Sequence, residues 1–102
     1  MDFRKRLWMK LERILMKQAC EFEIQPFINK DPDPRNRDYT FFLTGDSCEV
    51  EIAFFYDFIH VCSDQEPQEP IHISYQDPLK AQQLQDALAA VGITVDLQDL
   101  FD

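Results

Sequence analysis

Glycine is nearly missing from this chain, with two in 102 residues. Phosphate-cradling loops, dinucleotide fingerprints and nucleophile elbows all need glycine at fixed spacing, and neither Gly45 nor Gly92 stands in such a pattern. Nucleotide-dependent catalysis is therefore not expected. Cysteine is sparse too: Cys20, Cys48 and Cys62 are widely spaced and odd in number, without a Cys-x-x-Cys pair. They read as reduced, mostly buried thiols of a cytoplasmic protein rather than as a disulfide frame or zinc ribbon. No apolar run reaches the ~18 residues of a bilayer span, and Lys10, Glu12, Arg13 and Lys17 interrupt the segment that a secretory signal would keep apolar. A soluble chain is expected.

What is abundant is apolar and acidic. The hydrophobic fraction is 45% with nine Phe, which suits one packed domain over 1–102. The net charge of −9 is uneven: residues 1–17 carry six basic and two acidic side chains, whereas 18–102 carry four basic and seventeen acidic. So many carboxylates argue against general nucleic-acid binding, whose affinity comes from neutralising phosphates. A basic partner is the easier fit.

Along the chain, Phe3, Leu7, Leu11, Ile14, Leu15 and Ala19 recur at three- and four-residue steps, with Arg6, Lys10, Arg13 and Lys17 on another face. This predicts an amphipathic helix over 2–19, its apolar surface widened by Trp8, Met9 and Met16. Alternation predicts a strand over 21–27, with Pro26 pointing to a sheet edge or a bulge. The proline-broken stretch 29–38 reads as a loop. Tyr39, Phe41 and Leu43 alternate into a Gly45-Asp46 turn, and Cys48, Val50, Ile52, Phe54 and Tyr56 alternate out of it. The phase slips at Phe58-Ile59, so a bulge or bend near Asp57 is expected within a long third strand ending at Cys62.

A fourth strand is expected from Ile71, Ile73 and Tyr75, closing an antiparallel sheet within 21–75. Asp77-Pro78 and Gly92 bracket a helix over 78–91. Ile93-Thr94-Val95 is a candidate final short strand, followed by an acidic tail over 96–102. The expectation is an α+β two-layer sandwich of order α-β-β-β-β-α, with both helices on one face of a four-stranded antiparallel sheet.

Chemistry-bearing constellations are few. His60, Cys62 and His72 fall on neighbouring expected strands and could hold a metal or form a thiol–base pair, but no spacing singles them out. Glu49 with Glu51, and Glu21 with Glu23, read as solvated strand faces. The Asp31-Pro32-Asp33 loop lacks a calcium loop's glycine, with Asn36 in its place, and Phe42 stands where the bidentate Glu belongs. No cofactor is expected.

Two features point to binding. Glu49, Glu51 and Asp57, with Asp64, Glu66 and Glu69 in the adjoining loop, would present carboxylates to a basic surface. Phe42 and Phe55 are out of phase with the core and would meet on the outer sheet face, as a homodimer interface or as further packing within the monomer. The tail Leu97-Gln98-Asp99-Leu100-Phe101 resembles the short Gln/Leu/Phe peptides that dock on bacterial sliding clamps, with Gln98 one place late. A tail tucked onto the core is the competing reading.

The expected function is a non-enzymatic, protein-binding domain of a bacterium or phage, such as an inhibitor, immunity protein, adaptor or chaperone. The alternative is a small thiol- or metal-dependent enzyme or regulator using Cys62, His60 and His72. A third use, contact of the basic first helix with nucleic acid or an anionic membrane, requires Arg6, Lys10, Arg13 and Lys17.

Overall fold

Leu11 and Leu15 fall one turn apart on a single stripe, and with Trp8 they are buried, which places the first helix against the rest of the chain. The computed structural model describes residues 3–64 and 69–102. Its elements are α1 (Phe3–Gln18), β1 (Glu23–Asn29), a 3-10 turn (Pro34–Asn36), β2 (Asp38–Thr44), β3 (Glu49–Phe54), β4 (Phe58–Ser63), β5 (Ile71–Ser74) and α2 (Lys80–Ala89). The five strands form one antiparallel sheet in sequence order. This is an α+β fold. Among the described residues, no helix is long and apolar enough to cross a membrane.

The sheet has one strand more than expected, and the addition comes from an unforeseen place. The segment from Cys48 to Cys62 is not one bent strand: the chain reverses at Tyr56-Asp57, with Phe55 N–H donating to the Phe58 oxygen at 3.0 Å. The Tyr75 hydroxyl donates to the Phe55 oxygen at 2.7 Å and fixes the turn from outside. Two-residue hairpins usually advertise themselves by Gly or Asn at positive φ. No described non-glycine residue has positive φ, so this turn carries no such signal.

Ile93-Thr94-Val95, by contrast, is not a strand. Ile93, Val95 and Leu97 are buried in alternation with exposed Thr94 and Asp96, which is the pattern that suggested one. Just beyond, the Asp96 and Leu97 N–H groups donate to the side-chain amide oxygens of Gln18 (2.8 Å) and Gln85 (3.0 Å). Side chains, not a neighbouring strand, satisfy this backbone. The tail after it is tucked in, with Leu97 and Leu100 fully buried.

Both glycines act locally, for different reasons. Gly92 has φ +88 and ends α2: its N–H donates to the Ala89 oxygen (3.1 Å) and the Ile93 N–H to the Leu88 oxygen (2.9 Å). That is a Schellman closure, in which buried Ile93 and Leu88 supply the apolar contact. Gly45 lies against the Phe22 ring, and an added Cβ would come within 2.7 Å of it. Close approach, rather than φ, requires glycine there.

At the other end, α2 starts two residues later than Asp77-Pro78 suggested. The N-cap is Leu79, with no side-chain cap hydrogen bond, so Asp77 is not the cap expected of it; its carboxylate instead closes the turn leading into the helix, accepting the Leu79 N–H at 2.8 Å and the Gln83 amide at 2.9 Å. The Leu79 hydrogen bond above all, then Gln83 and the Lys80 charge, hold the Asp77 carboxyl below its ordinary value.

One face of the sheet, from Tyr39, Phe41 and Leu43 through Val50, Ile52 and Phe54 to Ile59 and Ile73, shares a single buried cluster with both helices and the tail. Trp8 fastens α1 to it: the indole stacks on Phe41 (centroids 5.2 Å, 13° between planes) and its Nε1–H donates to the Thr40 oxygen at 2.9 Å. Beside it Arg4 is 2% exposed, between the rings of Tyr39 and Tyr56 at 5.5 and 5.6 Å, and donates to the Arg37 oxygen at 2.6 Å. Its burial was readable, since 4, 8, 11 and 15 form one helical stripe; its charge hid it.

Candidate functional site

Strand alternation puts the remaining side chains on the opposite sheet face, in cross-strand rows. One row runs Gln25, Phe42, Glu51, Cys62, and the next runs Phe27, Thr40, Ala53, His60, His72. Thr40 and Ala53 are buried, so their larger neighbours cover the middle of this face. The surface that remains has an acidic end and an aromatic end.

At the acidic end, Phe42, Glu49, Glu51, Cys62 and Asp64 line a shallow groove of 470 Å³. Phe42 is exposed and meets Phe27 edge-on at 6.4 Å. Asp64 is tied to the start of β3, its carboxylate accepting the Glu49 N–H at 2.9 Å and its own N–H donating to the Glu49 oxygen at 3.2 Å. The groove therefore holds three carboxylates around an exposed ring.

The aromatic end lies beside the β3–β4 turn. Phe55 meets Phe58 edge-on at 5.3 Å and His60 at 5.3 Å, while Phe58 lies 4.3 Å from His72. His60 and His72 are cross-strand partners with ring centroids 5.5 Å apart. His60 Nε2 stands 3.8 Å from Glu51 Oε2, an ion pair when the imidazole is protonated.

The structure thus gathers some expected site residues and scatters others. Phe42, Glu49, Glu51 and Asp64 share the groove. Asp57 is exposed in the turn beyond the far end of β3, eight residues along the chain and ~20 Å from Glu49. Glu69 is exposed ahead of β5, and Glu66 lies outside the described residues. Phe42 and Phe55 do not form a ring pair; each packs with another aromatic, because the register sets Phe42 opposite Glu51, four residues or ~13 Å along the strand from Phe55. Phe27 and Phe58 were missed. Strand parity could have exposed Phe27, whereas Phe58 depended on recognising the silent turn.

His60, His72 and Cys62 share one sheet face, His60 directly across from His72 and Cys62 two residues along β4. Among the described residues no group of three or more His, Cys, Asp or Glu is arranged to hold a metal ion. Of the thiols, Cys20 is exposed and Cys48 and Cys62 are half-buried, so none of the three is fully buried and the expectation of mostly buried cysteines fails. Comparisons with protein-family models, with curated proteins and with solved structures find no match to this chain.

Proposed function

We propose that this chain is a non-enzymatic protein-binding domain whose outer sheet face receives a basic segment of another protein, in the manner of an inhibitor, immunity protein, adaptor or chaperone of the bacterial cytoplasm. The reading takes α1 and α2 as one layer over the core face of the sheet, leaving the other face for a partner. The observation that carries it is the groove in which Glu49, Glu51 and Asp64 surround exposed Phe42. A cationic side chain flanked by an apolar one meets charge and ring together there, and the carboxylates steer its approach. Phe27, 55% exposed beside Phe42, extends the apolar part.

The test is a library of Lys/Arg-rich peptides, each with one apolar residue, probed with the native chain and with a Glu49→Lys/Glu51→Lys/Asp64→Lys variant. Retained peptides should bind the variant about tenfold more weakly or worse. Amide shifts on titration should centre on Phe42 and Glu51. Equal retention of every peptide by the variant removes the acidic groove from the account. A homodimer through the same face would instead appear as a concentration-dependent mass that Phe27→Ser/Phe42→Ser abolishes.

The alternative, a thiol- or metal-dependent site on Cys62, His60 and His72, draws on the adjacent imidazoles. Alkylation of Cys62 at a rate that His60→Ala lowers would favour it.

A further inference from the structure

A second cavity lies away from the acidic face, between α1, the start of α2 and the tail. It has a volume of 580 Å³ and is lined by Arg6, Lys10, Arg13 and Lys80, with a single acidic residue, Asp102. In a chain of net charge −9 this is a local inversion of sign. Its apolar wall is aromatic: Phe3 meets Tyr75 edge-on at 5.1 Å, and Lys80 lies over the Phe101 ring at 5.1 Å.

The cations differ in their freedom. Lys10 is occupied, donating to the main-chain oxygens of Asp99 (2.6 Å) and Asp102 (3.2 Å), and so pins the tail to α1. Arg6 and Arg13 are exposed, and no ion pair joins either to an acidic group among the described residues. They stand seven residues apart on α1, ~10 Å along its axis.

From this geometry we infer that the cleft binds a small amphiphilic anion: an organic carboxylate with an aliphatic or aromatic body. The carboxylate pairs with Arg6 or Arg13, and the body lies against Phe3, Tyr75 and Phe101. The volume falls within the ~300–1,000 Å³ of small-molecule sites, which combine an apolar wall with a few placed polar groups. Charge complementarity selects an anion. A nucleic acid would bring a long polyanion against the seventeen carboxylates beyond residue 17, whereas one head group stays within the basic cleft.

The experiment titrates the 15N-labelled chain with decanoate below its micellar concentration, with decanol, acetate, a polyglutamate peptide and phosphatidylglycerol vesicles as separate arms. Saturable decanoate shifts at Phe3, Tyr75 and Phe101, at least tenfold weaker with decanol or acetate, are expected. Arg6→Glu/Arg13→Glu should weaken decanoate at least tenfold while keeping the native circular dichroism, since both side chains are exposed. Phe101→Ala should weaken it without changing the charge. Decanol binding as well as decanoate, shifts centred elsewhere, or binding to polyglutamate or vesicles but not to decanoate would each overturn the inference.

Discussion

Trp8 is the point at which α1 is bolted to the sheet, and replacing it with Phe should cost about 2 kcal/mol. The indole is 8% exposed, stacked on Phe41, and spends its one donor on the Thr40 oxygen. Phenylalanine keeps an aromatic ring but loses the hydrogen bond, a net contribution of about 1 kcal/mol. It also leaves the space of the missing five-membered ring, on the order of another 1 kcal/mol if the neighbours relax only partly. Unfolding a domain of this length carries an entropy of about 0.2 kcal/mol/K, so the melting temperature should fall by about 9 °C.

The assay is thermal and urea unfolding followed by far-ultraviolet circular dichroism, since the substitution removes the sole tryptophan. The urea midpoint should drop with an unchanged slope. Benzothienylalanine at position 8 keeps the shape of the indole without its N–H, and should cost about half as much. A loss below about 0.5 kcal/mol with Phe would refute the claim that this side chain anchors the helix. A benzothienyl variant as stable as the native chain would refute the share given to the hydrogen bond.

Gly92→Ala should destabilise by about 1 kcal/mol through backbone strain alone, because φ is +88 and nothing lies within 4 Å of an added Cβ; a neutral result in urea unfolding would mean that the α2 terminus rearranges freely. Asp77 gives a pH dependence. Its carboxyl is held below the ordinary value of 3.8 in the folded chain, so its stabilisation is complete above that value and is lost as pH falls through the lower, folded-state one. The stability difference between the native chain and Asp77→Ala should therefore shrink on acidification below about pH 4, and a difference that grows there would contradict the hydrogen bonds from Leu79 and Gln83.

Much of the local structure was legible because it obeys local rules. The three- and four-residue apolar spacing of α1, the alternation of β2 and β3, the placement of Pro26 in an edge strand and the Gly92 stop all follow from backbone geometry within a few residues. Where local rules are silent or ambiguous, two structures fit the same residues. The Tyr56-Asp57 reversal carries neither glycine nor asparagine, so one phase slip served equally for a bulge and for a hairpin. The alternation of Ile93, Val95 and Leu97 recorded alternate burial, which extended chain shows with or without a strand beside it.

The sequence by itself determined the acidity, its separation from a basic first helix, and the residue types available at each face. Tertiary structure alone decided which of them meet. Strand order brought Phe42 and Glu51 opposite one another and gathered Asp64 to Glu49, while hairpin geometry sent Asp57 and Phe55 to the other end. Lys10 reaches Asp99 across 89 residues of chain, and the basic cleft exists only because the tail folds back along α1. Periodicity assigns a side chain to a face of its own element, but a site between elements depends on how those faces pack. The net charge of −9 thus resolves into an acidic groove on the sheet and a cationic cleft under the tail.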